Sequence, residues 1–495
     1  MSASAVSALD AERVQREHAL ELDRADTLAG FRDRFALGDD ELIYLDGNSL
    51  GRLPLATVKR VHELIIREWG ERLIRAWEEG WMELPLAVGE QLGAAALGAA
   101  RGQVVVGDST TVCFYKLASA ALDLGRGRDE IVTDVENFPT DRYVLEGLAQ
   151  ARGLRLRWLP CDPDGAPTPD EVAAVVSSQT ALVSFSHVSY RSAAIADMKA
   201  INDIAHASGA LTLWDLSHSA GSVPVALDRD GTDLAVGCSY KYLCGGPGAP
   251  AFMYVRRELQ ERLHQPIWGW LGRRDPFAME PGYVPASGVA GLLSGTPPVL
   301  ALAAVQEGVR LVAEAGIEAI RAKGIALTEF AIALADARLA PLGLRVASPR
   351  DARRRGAHVA LAHPDARAAC AALIERGVIP DFRMPDVIRL GLSPLSTRFA
   401  EVWDGIEVLR QALAGEARSF AGSRPRRSGS AGTMEAEHTP DERPDAEPDR
   451  GNLPAPEAPP ETSEHPSHAE EVGGKGAEEA GALADKERFR KAPGW

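Results

Sequence analysis

The stretch LTLWDLSHSAGSVPVALDRDGTDLAVGCSYKYLCGGPG, residues 211–248, decides the fold. It holds two strand candidates, LTLWDLSHS (211–219) and LAVGCSYKYL (234–243), and each begins with a short apolar run, as buried strands do. Other apolar runs of this kind alternate with helix-like segments: QVVVGD (103–108), EIVTDVENF (130–138), ALVSFSHV (181–188) and APAFMYV (249–255). This alternation predicts an α/β fold with a mostly parallel sheet covered on both faces.

The pattern changes after Pro298, where long amphipathic segments begin and a smaller α/β portion follows. We therefore predict a second domain that runs to about Leu413, and from about Ala421 a tail rich in Pro, Glu, Ser and Gly. The predicted division is an N-terminal segment (1–50), a large domain (51–300), a small C-terminal domain (301–415) and a disordered acidic tail (421–495).

The formal net charge of −16 argues against nucleic acid or an anionic membrane surface as the main partner. Between Thr433 and Ala482 there are fourteen acidic and three basic residues, so about −11 of this charge belongs to that stretch. The five cysteines are scattered and show no metal-ligand spacing, so we expect reduced thiols and no metal site. The start, MSASAVSALDAERVQREHAL (1–20), has no apolar core of signal-peptide length, and no apolar run is long enough to span a bilayer, so we expect a soluble cytoplasmic protein.

Lys241 follows an apolar run and precedes the glycine-rich CGGPG. A lysine in this place is either a charge on the rim of the sheet or a buried amine that can form a Schiff base. Asp215, which closes the run before it, either caps the next helix or pairs with the ring nitrogen of a pyridine cofactor. His218 either makes a core hydrogen bond or touches the cofactor. Two such residues at neighbouring strand ends together favour a pyridoxal-phosphate site.

Two further segments fit this interpretation. In VGDSTTVCFYKL (106–117), Thr110 and Thr111 stand at a predicted helix start, where backbone N–H groups can bind phosphate, although Ser109 or Thr110 could simply cap the helix. In ENFPTDRY (136–143), Phe138 could stack on a flat ring or pack in the core, and Asp141 could contact the ring substituents.

With these elements in this order, the chain resembles the aminotransferase-like, fold type I pyridoxal-phosphate enzymes, and the kynureninases in particular. The segments that carry the resemblance are YLDGNSLG (44–51), FPTD (138–141), WDLSHSAG (214–221), SYKYL (239–243), GWLG (269–272), SGTPP (294–298) and IRLGLSP (388–394). The resemblance implies hydrolysis of the Cβ–Cγ bond of L-kynurenine to anthranilate and L-alanine, with 3-hydroxykynurenine as an alternative substrate, in a homodimer with shared active sites.

The resemblance also implies a role for each matching residue. Lys241 would bind the cofactor and shuttle the proton, with Asp215 on the ring nitrogen and Tyr240 donating to the phosphate and serving as general acid. The other cofactor contacts would be Thr110, Thr111, Phe138, Asp141 and His218, joined by Trp270 and Thr296 from the partner subunit. Arg389 would hold the substrate α-carboxylate, and Ser49 and Trp81 would lie beside the substrate. Trp81 and Thr296 match the pattern for plain kynurenine, although core packing of Trp81 is an alternative.

Two other functions compete with this one. A cysteine desulfurase of the same fold needs a nucleophilic cysteine on a mobile loop, and the only late one, Cys370, stands in the helix-like ARAACAALIERG. A catalytically silent relative could have lost any of Lys241, Asp215, Tyr240 and Arg389, yet all four are present. One departure from the resemblance is Cys113, which stands where relatives often carry Asn.

Overall fold

A seven-stranded sheet forms the centre of the structure, a computed structural model that describes residues 15–38 and 42–415. The predicted tail and part of the predicted N-terminal segment lie outside the described residues. The strands of the chain are β1 (Ile43–Tyr44), β2 (Val104–Val106), β3 (Glu130–Asp134), β4 (Arg155–Leu159), β5 (Thr180–Ser186), β6 (Leu211–Asp215), β7 (Leu234–Gly237), β8 (Phe252–Val255), β9 (Arg345–Val346), β10 (His358–Ala362), β11 (Val378–Ile379), β12 (Asp381–Arg383) and β13 (Val387–Gly391).

The order of strands in the large sheet is β2-β8-β7-β6-β5-β3-β4. Five of them, β7, β6, β5, β3 and β4, are parallel, and β8 is antiparallel to both of its neighbours. The carboxyl ends of β2, β3, β5, β6 and β7 therefore meet at one edge. These observations confirm the predicted α/β fold with a mostly parallel sheet.

Alternating side chains of the strands enter two hydrophobic cores, one on each face of the sheet. Val183, Trp214 and Ala235 belong to one core, and their chain neighbours Leu182 and Leu213 belong to the other. Six of the seven strands are buried on both faces and their sequences are therefore mostly apolar. This is why these strands could be recognised in the sequence. The edge strand β4, RLRWL, is partly exposed and is not among the predicted strands.

Helices cover both faces of the large sheet. The α-helices are Arg16–Ala25, Leu55–Glu63, Leu84–Leu92, Thr110–Leu124, Pro139–Arg152, Pro169–Val175, Met198–Ala207, Val299–Ala315, Ile317–Leu334, Ala366–Glu375 and Phe399–Leu413, joined by shorter 3-10 and π-helical turns. Ser109 rather than Thr110 is the N-cap of its helix, because its Oγ accepts from the Val112 N–H at 3.4 Å.

A second, four-stranded sheet, in the order β12-β13-β10-β9, lies near the C-terminal end of the described chain. Its core also contains Ala19 and Leu45 from the N-terminal segment, together with side chains such as Val378 and Phe399. In addition, β1 pairs in parallel with β11, and this pairing brings the segment after Tyr44 next to the small sheet. The N-terminal segment is thus packed against the C-terminal part of the described chain.

Candidate active site

A cavity of about 320 Å³ opens at the carboxyl edge of the large sheet, where parallel α/β sheets bind their ligands. This volume is within the range of small-molecule sites. Eight residues predicted to bind a cofactor line it: Thr110, Thr111, Phe138, Asp141, Asp215, His218, Tyr240 and Lys241. The structure therefore brings together residues that are spread over more than a hundred positions of the sequence.

Lys241 is buried, with only 8% of its surface exposed, so it is not a charge on the rim of the sheet. Its Nζ lies 2.9 Å from Nε2 of His218, and 5.9 Å from the centre of the Phe138 ring. Burial, together with the positive charge of Lys241, lowers the pKa of His218 well below its ordinary value. The imidazole is therefore neutral at physiological pH, and its Nε2 can accept a hydrogen bond from the lysine.

Two buried carboxyl groups lie close together on the same cavity wall. Asp215 ends β6, and its Oδ1 accepts from the Ser217 N–H at 2.8 Å. Burial, and then the negative charge of Asp215, raise the pKa of Asp141 well above its ordinary range. Asp141 Oδ2 is buried and has no hydrogen-bond partner within the described part of the chain. Two such carboxyl groups suit a cationic ring nitrogen, because its charge would relieve their repulsion.

Phe138 lines the cavity at the start of the helix Pro139–Arg152. Its backbone N–H donates to Asn137 Oδ1 at 2.8 Å, and that oxygen also accepts from Ser186 Oγ at 2.7 Å. The Phe138 ring contacts Tyr190 edge-on, with the two centroids 5.3 Å apart. This network fixes the ring in a position from which it can stack on a flat cofactor.

Thr110 and Thr111 form the first turn of the helix Thr110–Leu124, which starts at the cavity. The unpaired N–H groups of such a turn and the positive end of the helix dipole favour a phosphate group. Asp108, which precedes the N-cap Ser109, has a φ of 55°. Its carboxylate accepts from Nζ of the fully buried Lys116 at 2.6 Å. The tight turn before the helix is held by this ion pair.

Arg389 and Ser49 do not line the cavity, but they are joined to each other beside it. Arg389 lies on β13 with 1% of its surface exposed, and its Nη2 donates to Ser49 Oγ at 3.2 Å. Its Nη1 donates to the backbone oxygen of Tyr190, which does line the cavity. Arg389, which is expected to bind the substrate, therefore lies behind Tyr190 and does not itself line the cavity.

Three other predicted residues lie outside this cavity. Trp81 donates from its indole Nε1 to Glu68 Oε2 at 2.7 Å, and its ring packs edge-on against Trp77. Trp270 packs against one of the two cores of the large sheet, and Thr296 is exposed. Within one chain, none of the three reaches Lys241.

Several cavity residues were not identified from the sequence: Ser109, Thr140, Ser186, Tyr190, Ser217, Gly248 and Ala249. Most are neighbours of predicted residues in the same loops. Tyr190 is different, because it follows β5 in SHVSYRS, a segment with no distinctive residue pattern. A polar loop after a predicted buried strand was the only signal that could have identified it.

Among residues 15–38 and 42–415, no group of three or more His, Cys, Asp or Glu side chains is arranged to hold a metal ion. In the same part of the chain, no helix is both long and apolar enough to cross a membrane.

The cysteines do not provide the nucleophile that a desulfurase would need. Cys370 lies within the helix Ala366–Glu375, and burial raises the pKa of its thiol to about 11. Cys113, Cys238 and Cys244 are buried as well, and burial raises the thiol pKa of each. Cys161 is partly exposed, and burial still raises its pKa to about 12. Thiols with such pKa values are poor nucleophiles.

Comparison with known proteins identifies the family. The solved structure of a cysteine desulfurase from Thermococcus onnurineus NA1 superposes with a TM-score of 0.69 at 19% identity, covering 78% of this chain and 98% of that one. A C-DES mutant with glycine covalently linked to its pyridoxal-phosphate cofactor gives a TM-score of 0.67 at 18% identity, covering 78% and 99%. These two likenesses show the fold, which is that of the fold type I enzymes.

Sequence relatives are closer. Residues 320–409 match the family model of the kynureninase C-terminal domain. The chain is 43% identical over 405 residues to the kynureninase of Pseudomonas fluorescens, covering 80% of this chain and 95% of the relative. Identity at this level over nearly the whole length of the relative goes well beyond a shared fold. The chain belongs to the kynureninase family.

Proposed function

We propose that this chain hydrolyses the Cβ–Cγ bond of L-kynurenine to anthranilate and L-alanine, with pyridoxal phosphate bound in the Lys241 cavity. The observation that carries the proposal is the arrangement of Lys241, Asp215 and the Thr110 helix start around one cavity, in a chain of the kynureninase family. It unites an amine, a carboxylate and a phosphate site, which are the groups that this cofactor requires.

The residues present fit the cofactor. Asp141 Oδ2 and His218 Nδ1 are buried polar atoms without a hydrogen-bond partner in the described chain, and both residues line the cavity. Buried polar atoms are rarely left unpaired, so such atoms around a cavity indicate a missing polar ligand. Lys241 would hold the cofactor, with Asp215 and Asp141 near its ring nitrogen, Phe138 on its ring, and Thr110, Thr111 and Tyr240 at its phosphate.

When bound, pyridoxal phosphate would supply an electron sink for the negative charge that develops at Cα when the α-proton leaves and at Cβ when the Cβ–Cγ bond breaks. Lys241 Nζ would take the substrate α-proton and return it. His218 is a neutral acceptor 2.9 Å from this nitrogen, so it can hold the protonated amine in place. Burial raises the pKa of the Tyr240 phenol, which therefore keeps its proton at neutral pH and can act as a general acid.

Substrate contacts come from residues next to the cavity. We propose that Arg389 binds the substrate α-carboxylate, with Ser49 beside it, and that Trp81 lies near the aryl group. The joining of Arg389 to cavity-lining Tyr190 supports the first assignment. For the aryl group, Trp81 and Thr296 favour plain kynurenine over its 3-hydroxy form.

A homodimer with shared active sites is part of the proposal. Ile66, Trp69 and Leu73, which follow one another along a helical stretch, are 50%, 53% and 56% exposed in the single chain. Clustered exposed apolar side chains are typical of an interface. Trp270 and Thr296 lie outside the cavity of their own chain, as residues that serve the partner's phosphate site would. The five unpaired thiols support a reducing compartment, and we propose the cytoplasm.

Replacement of Lys241 with Ala tests the assignment. The purified wild-type protein should show a visible cofactor absorbance band and release fluorescent anthranilate from L-kynurenine, and Lys241→Ala should lose both. The exposed Lys199, which pairs with Asp203 away from the cavity, provides the control Lys199→Ala. Retained turnover and band in Lys241→Ala would refute the role of this lysine. Parallel assays with 3-hydroxykynurenine measure the substrate preference.

A further inference from the structure

Asp381 and Arg389 lie directly opposite each other on the antiparallel strands β12 and β13. Side chains in such a pair are close neighbours on one face of the sheet. Arg389 Nε donates to Asp381 Oδ1 at 2.7 Å, and Arg389 Nη2 donates to Asp381 Oδ2. The carboxylate thus takes the whole Nε–Nη2 edge of the guanidinium in a bidentate pair.

Asp381 also binds other groups near the cavity. It accepts from Arg383 Nη2 at 2.7 Å and from Ser49 Oγ at 3.1 Å. Burial alone would raise the pKa of Asp381, but the hydrogen bonds and charge of Arg389, with the charge of Arg383, hold it below its ordinary value. The carboxylate is therefore ionised at neutral pH and connects the two residues expected to meet the substrate, Arg389 and Ser49.

The opposite edge of the guanidinium is the one available to a ligand. Nη1 donates to the backbone oxygen of Tyr190, which lines the cavity, and Nη2 donates to Ser49 Oγ at the long distance of 3.2 Å. This Nη1–Nη2 edge is where a carboxylate from the cavity would bind. Such a carboxylate could replace the Ser49 contact without disturbing the pair with Asp381.

We propose that Asp381 is a positioning residue, which holds Arg389 by its Nε–Nη2 edge so that the Nη1–Nη2 edge receives the substrate α-carboxylate. The inference rests on the proposed function, because it concerns the substrate of that same site. A guanidinium fixed in advance loses less conformational freedom when it binds the substrate. Asp381 itself does not touch the substrate.

The variant Asp381→Asn tests this role because it keeps the shape of the side chain and removes its charge. We expect the KM for L-kynurenine to rise about tenfold or more while kcat changes by less than about threefold, as when an interaction common to ground and transition states is lost. Inhibition by L-alanine, which has the α-carboxylate, should weaken by a similar factor. Inhibition by 2-aminoacetophenone, which has the aryl ketone and no carboxylate, should stay the same.

Glu407→Gln is the matched control. Glu407 also accepts from two arginines, Arg338 and Arg410, and its side chain is 16% exposed against 14% for Asp381. The Glu407→Gln variant should lower the melting temperature about as much as Asp381→Asn does. It should leave the inhibition constants of L-alanine and 2-aminoacetophenone unchanged. Equal weakening of L-alanine and 2-aminoacetophenone in Asp381→Asn would show a merely structural role, and an unchanged KM would also overturn the proposal.

If Asp381→Asn does not fold, Asp381→Glu replaces it, since Glu keeps the charge and displaces the carboxylate by one methylene. In Asp381→Glu we expect inhibition by L-alanine to weaken less than in Asp381→Asn, and inhibition by 2-aminoacetophenone to stay the same. Unchanged inhibition by L-alanine in this variant contradicts the proposal. Failure of the proposed function is a separate result: the wild-type protein would then release no anthranilate in the same assay.

Discussion

At the scale of single residues, the imidazoles beside Lys241 show how burial controls charge. The rings of His218 and His358 lie 5.4 Å apart, and both residues are buried. Burial, and then the positive charge of Arg389, lower the pKa of His358 to about 3. Neither histidine adds positive charge to the site, so the positive charge there comes from lysine and arginine side chains such as Lys241, Arg389 and Arg383.

The low pKa of His358 predicts a loss of stability in acid. An unfolded histidine binds a proton below its ordinary value of 6.5, but folded His358 does so only near pH 3. The stability that this group contributes is therefore present above pH 6.5 and lost as the pH falls toward 3. Replacing His358 with Gln should reduce the fall in unfolding free energy between pH 7 and pH 5 by about 2 kcal/mol.

Urea denaturation of both proteins at the two pH values measures this difference. The variant His264→Gln, at an exposed position, is the control. An equal fall in wild-type and His358→Gln proteins would contradict the assignment.

At the scale of elements, the segment GNSLG (47–51) packs against the loop that carries Lys241. The Gly51 N–H donates to the Tyr240 oxygen at 2.8 Å. A Cβ atom on Gly51 would stand 2.3 Å from the Lys241 backbone oxygen and 2.7 Å from Cys244 Sγ. Only glycine allows this close approach, so the conformation of the Lys241 loop depends on a segment far away in the sequence.

Gly51→Ala should therefore move the Lys241 loop. A displacement of this kind costs about 10- to 100-fold in kcat/KM, and the anthranilate assay together with the cofactor absorbance band measures the effect. The matched control is Gly147→Ala, because Gly147 lies within the helix Pro139–Arg152 and an added Cβ meets nothing within 4 Å. Equal activity in the two variants would show that the close approach at Gly51 has no role in catalysis.

The elements also show what could be predicted from the sequence. Six of the seven strands of the large sheet were predictable, because strands buried on both faces are mostly apolar. The edge strand β4 was not, because it is partly exposed and carries two arginines. LAVGCSYKYL was assigned to a strand as a whole, but β7 ends at Gly237 and the residues up to Lys241 form a loop. The pairing of Asp381 with Arg389 could not be predicted, because it depends on the register of two short strands.

At the scale of the whole molecule, the arrangement of Trp270 and Thr296 points beyond one chain. Eight predicted cofactor residues line a single cavity, while these two lie outside it. Loop contacts between distant residues, and contacts between subunits even more, leave no periodic signal in a sequence. Only the family resemblance suggested that Trp270 and Thr296 serve a partner, and this assignment stays a prediction.

Mixing two inactive variants tests the shared site. Lys241→Ala subunits should be inactive, and Trp270→Ala subunits strongly impaired. If each site combines Lys241 of one chain with Trp270 of the other, random mixed dimers should recover about one quarter of wild-type activity, since half of the dimers have one intact site.

A mixture of Lys241→Ala with Tyr240→Phe is the control. Both residues belong to the site of the same chain, so no intact site forms in its mixed dimers. Equal recovery in the two mixtures, or none in the first, would contradict a shared site.

The packing of the N-terminal segment against the C-terminal part of the described chain has a consequence for biosynthesis. Ile43 pairs with Val378, and Asp23 accepts hydrogen bonds from the N–H groups of Phe399 and Ala400. A ribosome makes the first of these residues long before the last, while N-terminal portions generally begin to fold during synthesis. Residues 43–51, which include Ser49 and Gly51, therefore cannot take up their final positions until translation has passed residue 400. The nascent enzyme stays inactive until then, even though the strands around Lys241 have already been made.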